Sequence, residues 1–310
     1  MTFYFPCFFM LSNSIQKLPF YQVDAFAPKA FSGNPAAVFL CNETLTDEQY
    51  LNIAREMYLP ETTFLRPLFD KNTAEKDKNW KTASLFEVRW FMMQEETNLC
   101  GHATLAAAHV VFEEIKNIHT EVVFKTRSGD LLIKKEAFQG ASDFIKMQFP
   151  VAQNFEEKKA ESNLLNSLGI QNQKINSSVY IPSKQTWILE FDSLEQLKEL
   201  EPNFEGLVKN QYQNPIKKVA ITTKGGTDAT KKYDFTSRCF CPWIGIDEDA
   251  LSAVSHGLIA KYWQDKLNKS DFFAYQASMR GGEIHLQLLE DNQVLLIGKG
   301  ITTLEGNARI

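Results

Sequence analysis

From Lys17 onward the apolar positions fall into short runs broken by turn residues, and only a few stretches repeat at helical spacing. Phe20 to Phe26 reads as a strand. The turn-rich Ser32-Gly33-Asn34-Pro35 follows, and Ala36 to Leu40 is a second apolar run, together a β-hairpin or tight β-connection. Thr46 with Gln49 forms a capping-box pattern, and Leu51, Ala54, Met57 and Tyr58 recur at helical spacing until Pro60. Glu61-Thr62-Thr63-Phe64-Leu65 is rich in β-formers and predicts a strand with the carboxylate at its entry. Leu85 to Met92 is another strand. A polar loop, Gln94 to Asn98, leads to Leu99-Cys100-Gly101-His102, and Leu105, Ala108, Val111, Phe112 and Ile115 mark an apolar helix face.

The second half repeats this order. Arg89-Trp90-Phe91 ends a strand and is followed by an acidic loop, small residues, His102 and an apolar helix. Arg238-Cys239-Phe240 is followed by Asp247, Glu248 and Asp249, by Ser252, Ala253 and Ser255, by His256, and by Leu258, Ile259, Tyr262 and Trp263. Upstream, Ser193 to Leu200 looks helical and Lys218 to Thr223 looks like a strand, echoing the elements around Tyr50 and Glu61. An ordered duplication of this kind is an architectural signal and predicts two pseudo-symmetric α/β domains.

Composition agrees with that picture and narrows the function. The 310 residues exceed the size at which one hydrophobic core stops growing, so two domains of roughly 150 residues are expected. A net charge of −5 leaves no electrostatic footprint for a nucleic-acid backbone. Five scattered cysteines without a Cys-x-x-Cys pair suit neither a disulfide framework nor a zinc site, so a reduced, cytoplasmic setting is the simpler expectation. No apolar run approaches the roughly 20 residues of a membrane span, so no membrane partner is expected. Phe3 to Leu11 has the length of a signal-peptide core, but no Lys or Arg precedes it and Pro6 interrupts it, so it reads as an extension. Asp70 to Lys81 and the region around Ser183 are the polar linker candidates.

Three places could carry chemistry. Cys100-Gly101-His102 opens a helix, where a positive dipole end can lower a thiol pKa and free N–H groups can hold an anion; equally, Cys100 is a small buried hydrophobe. Glu61, at the edge of an apolar strand, is either a desolvated general base or an exposed strand-end carboxylate. Asp247, Glu248 and Asp249 could cap a helix, bind a metal or supply a cleft carboxylate, and the lack of a second acidic cluster argues against metal. Gly225-Gly226 and Gly281-Gly282 read as turns. No Gly-x-Gly-x-x-Gly, Gly-Lys-Ser/Thr or Gly-x-Ser-x-Gly pattern supports a dinucleotide, nucleoside triphosphate or hydrolase site.

Taken together, Gln22-Val23-Asp24-Ala25-Phe26, Ser32 to Val38, Glu61-Thr62-Thr63-Phe64, Arg89-Trp90-Phe91, Leu99 to Ala106 and Arg280-Gly281-Gly282 resemble the phenazine biosynthesis PhzF-like family over about residues 17 to 305. The resemblance implies the diaminopimelate epimerase and proline racemase fold, in which two pseudo-symmetric domains each wrap a mixed β-sheet around a central helix. On this basis residues 1–16 are an extension, 17–125 with a returning strand at about 297–310 form the first domain, and 126–296 form the second.

By the same resemblance Glu61 is the general acid/base, His102 positions substrate and Asp249 is a cleft carboxylate. Asn34, Cys100, Gly101, Ala253, Val254, Ser255, Arg280, Gly281 and Gly282 are the implied substrate-binding positions. The implied activity is a cofactor-independent isomerisation: a proton shift on a small carboxylate-bearing metabolite between the domains. Homodimers are common among such relatives. Two departures stand out, because Ala253 and Val254 replace the family's Gly and Ser and narrow or remove the second anion nest. Nor does Ala253-Val254-Ser255 supply the second thiol of a two-cysteine racemase opposite Cys100. A non-catalytic binding or protein-interaction member that kept the cleft is the alternative.

Overall fold

The structure, a computed structural model, describes residues 17–69, 79–138, 140–170, 175–228 and 231–310. The expected extension at 1–16 and most of the polar stretch from Asp70 to Lys81 lie outside the described residues. The fold is the expected one, a mixed α/β architecture in which strands wrap two buried helices.

In the first half, Lys17–Ala25 pairs antiparallel with Asn34–Leu40, which runs parallel to Glu61–Leu68. The helix Asp47–Met57 makes that parallel crossover. Its capping box forms as expected, Thr46 and Gln49 each bonding the other's backbone N–H, and the helix ends at Tyr58 in a left-handed conformation. Leu85–Phe91 lies antiparallel on Glu61–Leu68 and parallel to Glu121–Thr126.

The second half repeats every step. Ile175–Ile181 pairs antiparallel with Thr186–Phe191, which runs parallel to Lys218–Lys224; Phe235–Cys241 is antiparallel to the latter and parallel to Asp271–Gln276. Register makes the equivalence residue by residue. Thr62 faces Phe91 and Val219 faces Phe240, so the two Arg-x-Phe strands superpose and Glu61 falls on Lys218.

Each half encloses one helix. Gly101–His109 is buried along nearly its whole length, and its Ala103, Ala106, Ala107 and Ala108 let strands approach on all sides. It continues into a π-turn at Val110–Glu114, closed by Ile115 N–H donating to the Val110 carbonyl. Ala253–Leu267 is its counterpart. Both helices share one apolar core with Trp90, Phe124, Leu258 and Leu286, each aromatic there contributing roughly 1.5–3 kcal/mol of burial.

The halves join through backbone pairing. Ala141–Pro150 lies antiparallel on Gln293–Gly298, and Gly300–Arg309 returns to pair antiparallel with Lys17–Ala25. Since Gly129–Phe138 and Ala141–Pro150 continue the sheet from Glu121–Thr126, we propose that the first half extends to Pro150, beyond the boundary expected at residue 125. No helix among the described residues is long and apolar enough to cross a membrane.

Candidate active site

Equivalent elements converge where the two central helices begin. Gly101 and Ala253 are each the first helical residue, and the tips meet closely: a Cβ added to Gly101 would lie 2.7 Å from the Ala253 Cβ. Beside this contact is a cavity of about 290 Å³. The first half contributes Glu61, Thr97, Cys100, Gly101 and His102 to its wall; the second contributes Lys184, Lys218, Asp249, Ser252, Ala253 and Val254.

Glu61 opens its strand and is only 6% exposed, with Oε2 buried and without a hydrogen-bond partner. Burial raises its pKa to about 8, against the opposing pull of the Cys100 thiol, the Thr97 hydroxyl and Lys218, while Asp249 adds to the rise. The reading of Glu61 as an exposed strand-end carboxylate therefore does not hold. His102, equally buried, has its pKa lowered by burial to about 4, so the ring is neutral. Burial, reinforced by Glu61 and Asp249, drives the Cys100 thiol well above its ordinary range. The prospect of a thiolate activated by the helix dipole is thus overturned. The protonated thiol lies 3.4 Å from His102 Nδ1. The other ring nitrogen, Nε2, is buried and without a hydrogen-bond partner, on a residue that lines the cavity.

The acidic triplet separates by strand alternation. Asp247 is exposed, Glu248 grips Arg238 with two contacts of 2.8 Å, and Asp249 turns to the cavity. Asn34 does not line the cavity. Its amide Nδ2 donates to Asp249 Oδ1 at 2.7 Å and to the Leu251 carbonyl at 2.9 Å, so it orients the carboxylate from behind.

Four more of the expected substrate-binding residues sit outside the cavity wall. Ser255 is turned into the core, against Ser252 Oγ at 2.9 Å and Cys239 Sγ at 3.6 Å. Arg280 clamps the halves: its guanidinium donates to buried Asp24 at 2.7 Å and to the Gly33 carbonyl at 2.9 Å. Gly281, at φ 66°, accepts from Gly33 N–H at 2.6 Å, and a Cβ there would lie 2.2 Å from Tyr275 Oη. A Cβ on Gly282 would meet Leu251 at 2.6 Å. These three residues build the interface between halves, and none of them lines the cavity. His256, matched in sequence with His102, is the structural counterpart of Thr104. Both occupy the fourth helical position, and both bond the carbonyl of the residue capping their helix.

Lys218 is the residue that sequence reasoning missed. Its Nζ donates to Ser252 Oγ at 3.2 Å and stands 3.8 Å from Asp249 Oδ2. Burial opposes its charge, yet Asp249 and the thiols of Cys239 and Cys241 raise its pKa on balance. The echo between the Lys218 and Glu61 strands was the available signal. Among the described residues no group of three or more His, Cys, Asp or Glu side chains is placed to hold a metal ion.

Comparison with known proteins agrees with this fold. Residues 23–306 match the family model described as phenazine biosynthesis-like protein, and the chain belongs to that family. An uncharacterized isomerase of Halalkalibacterium halodurans is 37% identical over 288 residues, 92% of this chain and 96% of that protein. A phenazine biosynthesis-like domain-containing protein of Bos taurus is 36% identical over 294 residues, 94% and 98% of the two chains. The crystal structure of a PhzF family protein from Enterococcus faecalis superposes with a TM-score of 0.79 at 28% identity, covering 95% of this chain and all of that one. A hydroxyproline epimerase from Agrobacterium vitis, at 9% identity and a TM-score of 0.55 over 95% and 93% of the two chains, shares the fold.

Proposed function

We propose that this protein is an isomerase that shifts a proton between carbon atoms of a small carboxylate-bearing metabolite, with Glu61 as the shuttling acid/base. The observation that carries the reading is the Glu61 carboxyl itself: buried, with one oxygen unpartnered, facing the cavity, and poised near neutral pH. In its charged form it takes a proton from a substrate carbon. The electron pair left behind spreads through an adjacent carbon–carbon double bond of the substrate toward its carboxylate, where the first-turn N–H groups at Gly101 and the His102 ring offset the charge. Glu61, now neutral, returns the proton to a different carbon, and proton and electron counts are unchanged. Such a shift requires no electron carrier. A positioned carboxylate contributes on the order of 10²–10⁴-fold in rate. The isomerase name of the Halalkalibacterium relative supports the same reading.

Proton NMR in D₂O of a panel of amino acids and unsaturated carboxylates, beside a Glu61→Gln control, tests it. Deuterium entering one compound with wild type and not with the control is the expected result. Exchange that persists in the control removes Glu61 from the role.

One observation favours a second reading, a non-catalytic binding member of the family. Ala253 places a methyl against the opposing helix tip and Val254 presents an apolar side chain to the cavity. An Ala253→Gly, Val254→Ser pair that creates exchange where wild type shows none would favour it.

A further inference from the structure

The proton shift leaves the charge of the second-half wall unexplained. Lys184 and Lys218 both line the cavity, as do the carboxyl groups of Glu61 and Asp249. Asp249 is already engaged by the Asn34 amide at 2.7 Å and stands 3.8 Å from the Lys218 ammonium, too far for a direct hydrogen bond. Lys218 gives one proton to Ser252 Oγ at 3.2 Å, and an ammonium carries three donors. Lys218 therefore keeps ammonium donors for a ligand in the cavity, and two helix N-termini add roughly half a positive charge each. Independent of the dipoles, three buried polar atoms on residues of this wall, Glu61 Oε2, Thr97 Oγ1 and His102 Nε2, have no partner, so the cavity is suited to something polar. Its volume of about 290 Å³ has room for about ten non-hydrogen atoms at ~30 Å³ each.

We infer that the substrate is a small dicarboxylate, with Lys218 as the positioning residue that anchors the carboxylate remote from the reacting carbon. The other carboxylate lies at the Gly101 turn, beside Glu61. Lys218 takes over a task that Val254, with no hydroxyl, cannot perform, and it does so from the position that mirrors Glu61. The inference rests on the isomerase reading for which carboxylate meets Glu61, while the anchoring by Lys218 is measured as binding alone.

Isothermal titration of the full chain with glutarate and with its monomethyl ester tests it, using wild type, Glu61→Gln, Lys218→Met and Lys218→Arg. Wild type and Glu61→Gln are expected to bind glutarate about tenfold or more tighter than the ester, as a charge-assisted contact requires. Lys218→Met is expected to lose most of that preference while ester affinity stays within about twofold, and Lys218→Arg to recover part of it. Lys218→Gln replaces the methionine variant if the latter does not fold. Glutarate bound no better than the ester by wild type, or equally well without the lysine, overturns the inference. Glutarate binding that depends on Lys218, together with exchange that ignores Glu61, breaks the isomerase reading and leaves the anchor standing.

Discussion

At the first helix end the cap is Cys100, followed by Gly101 and His102, and the facing strand opens with Glu61; at the second the same places hold Ser252, Ala253, Val254 and Lys218. Both ends present a helix dipole to one cavity. Around the first, burial keeps every ionisable side chain close to neutral: a raised carboxyl, a depressed imidazole, a protonated thiol. Around the second, Lys218 stays charged because Asp249 stands beside it. Duplication supplies two like electrostatic frames, and four substitutions make one of them suited to moving a proton and the other to holding a fixed charge.

The sharpest way to break this contrast is Glu61→Gln, expected to lower turnover at least about 100-fold while the protein stays folded. In wild type, kcat/KM should rise with pH through about 8 as Glu61 ionises, and a profile flat across that range would exclude it as the base. Gly101→Ala attacks the frame instead of the chemistry. With the Ala253 Cβ at 2.7 Å from the new methyl, it should cost roughly 1–3 kcal/mol in a denaturant titration. Moving the methyl across, as Gly101→Ala with Ala253→Gly, should recover most of that loss.

Stability against pH separates the two ends further. Glu61 has a folded-state pKa of about 8 against an ordinary 4.5, so its contribution to stability is complete below 4.5 and is lost as pH rises through 8. Glu61→Gln should therefore gain stability relative to wild type between pH 5 and 9, by on the order of a few kcal/mol, read from thermal melts. His102 and His256 run the other way, each lowered to about 4, and destabilise as pH falls from 6.5 toward 4. Smallest of all should be Val254→Ser, expected to change glutarate affinity by no more than about threefold, because the ammonium already supplies the charge.

Much of this was legible in the sequence where the interaction is local. The Arg-x-Phe marker works because each arginine lies over the phenylalanine two residues on, at 5.0 Å for Arg89 on Phe91 and 4.9 Å for Arg238 on Phe240, and bonds a glutamate in the next short strand. The Glu61 position and the capping box at Thr46 were readable for the same reason. Lys218 was not, since Ser252 and Asp249, which hold its ammonium, lie more than 30 residues away in sequence and its position acquires meaning only through strand register. Arg280-Gly281-Gly282 shows the opposite: the family resemblance implied substrate-binding positions there, but tertiary pairing with Asp24 and Gly33 aims them at the joint between halves. His256 misled because a shared letter one turn into a helix hid a shift of two positions.

The strand Gly300–Arg309 has a consequence for biosynthesis. It covers one side of Lys17–Ala25, a strand made nearly three hundred residues earlier. During translation that early strand must wait with a row of backbone N–H and C=O groups unpaired, so the first half can collapse around its helix but cannot close. Completion of the oldest part of the molecule is thus timed by the synthesis of one of the youngest, and a nascent chain stalled before Gly300 would expose an edge ready to pair with another chain.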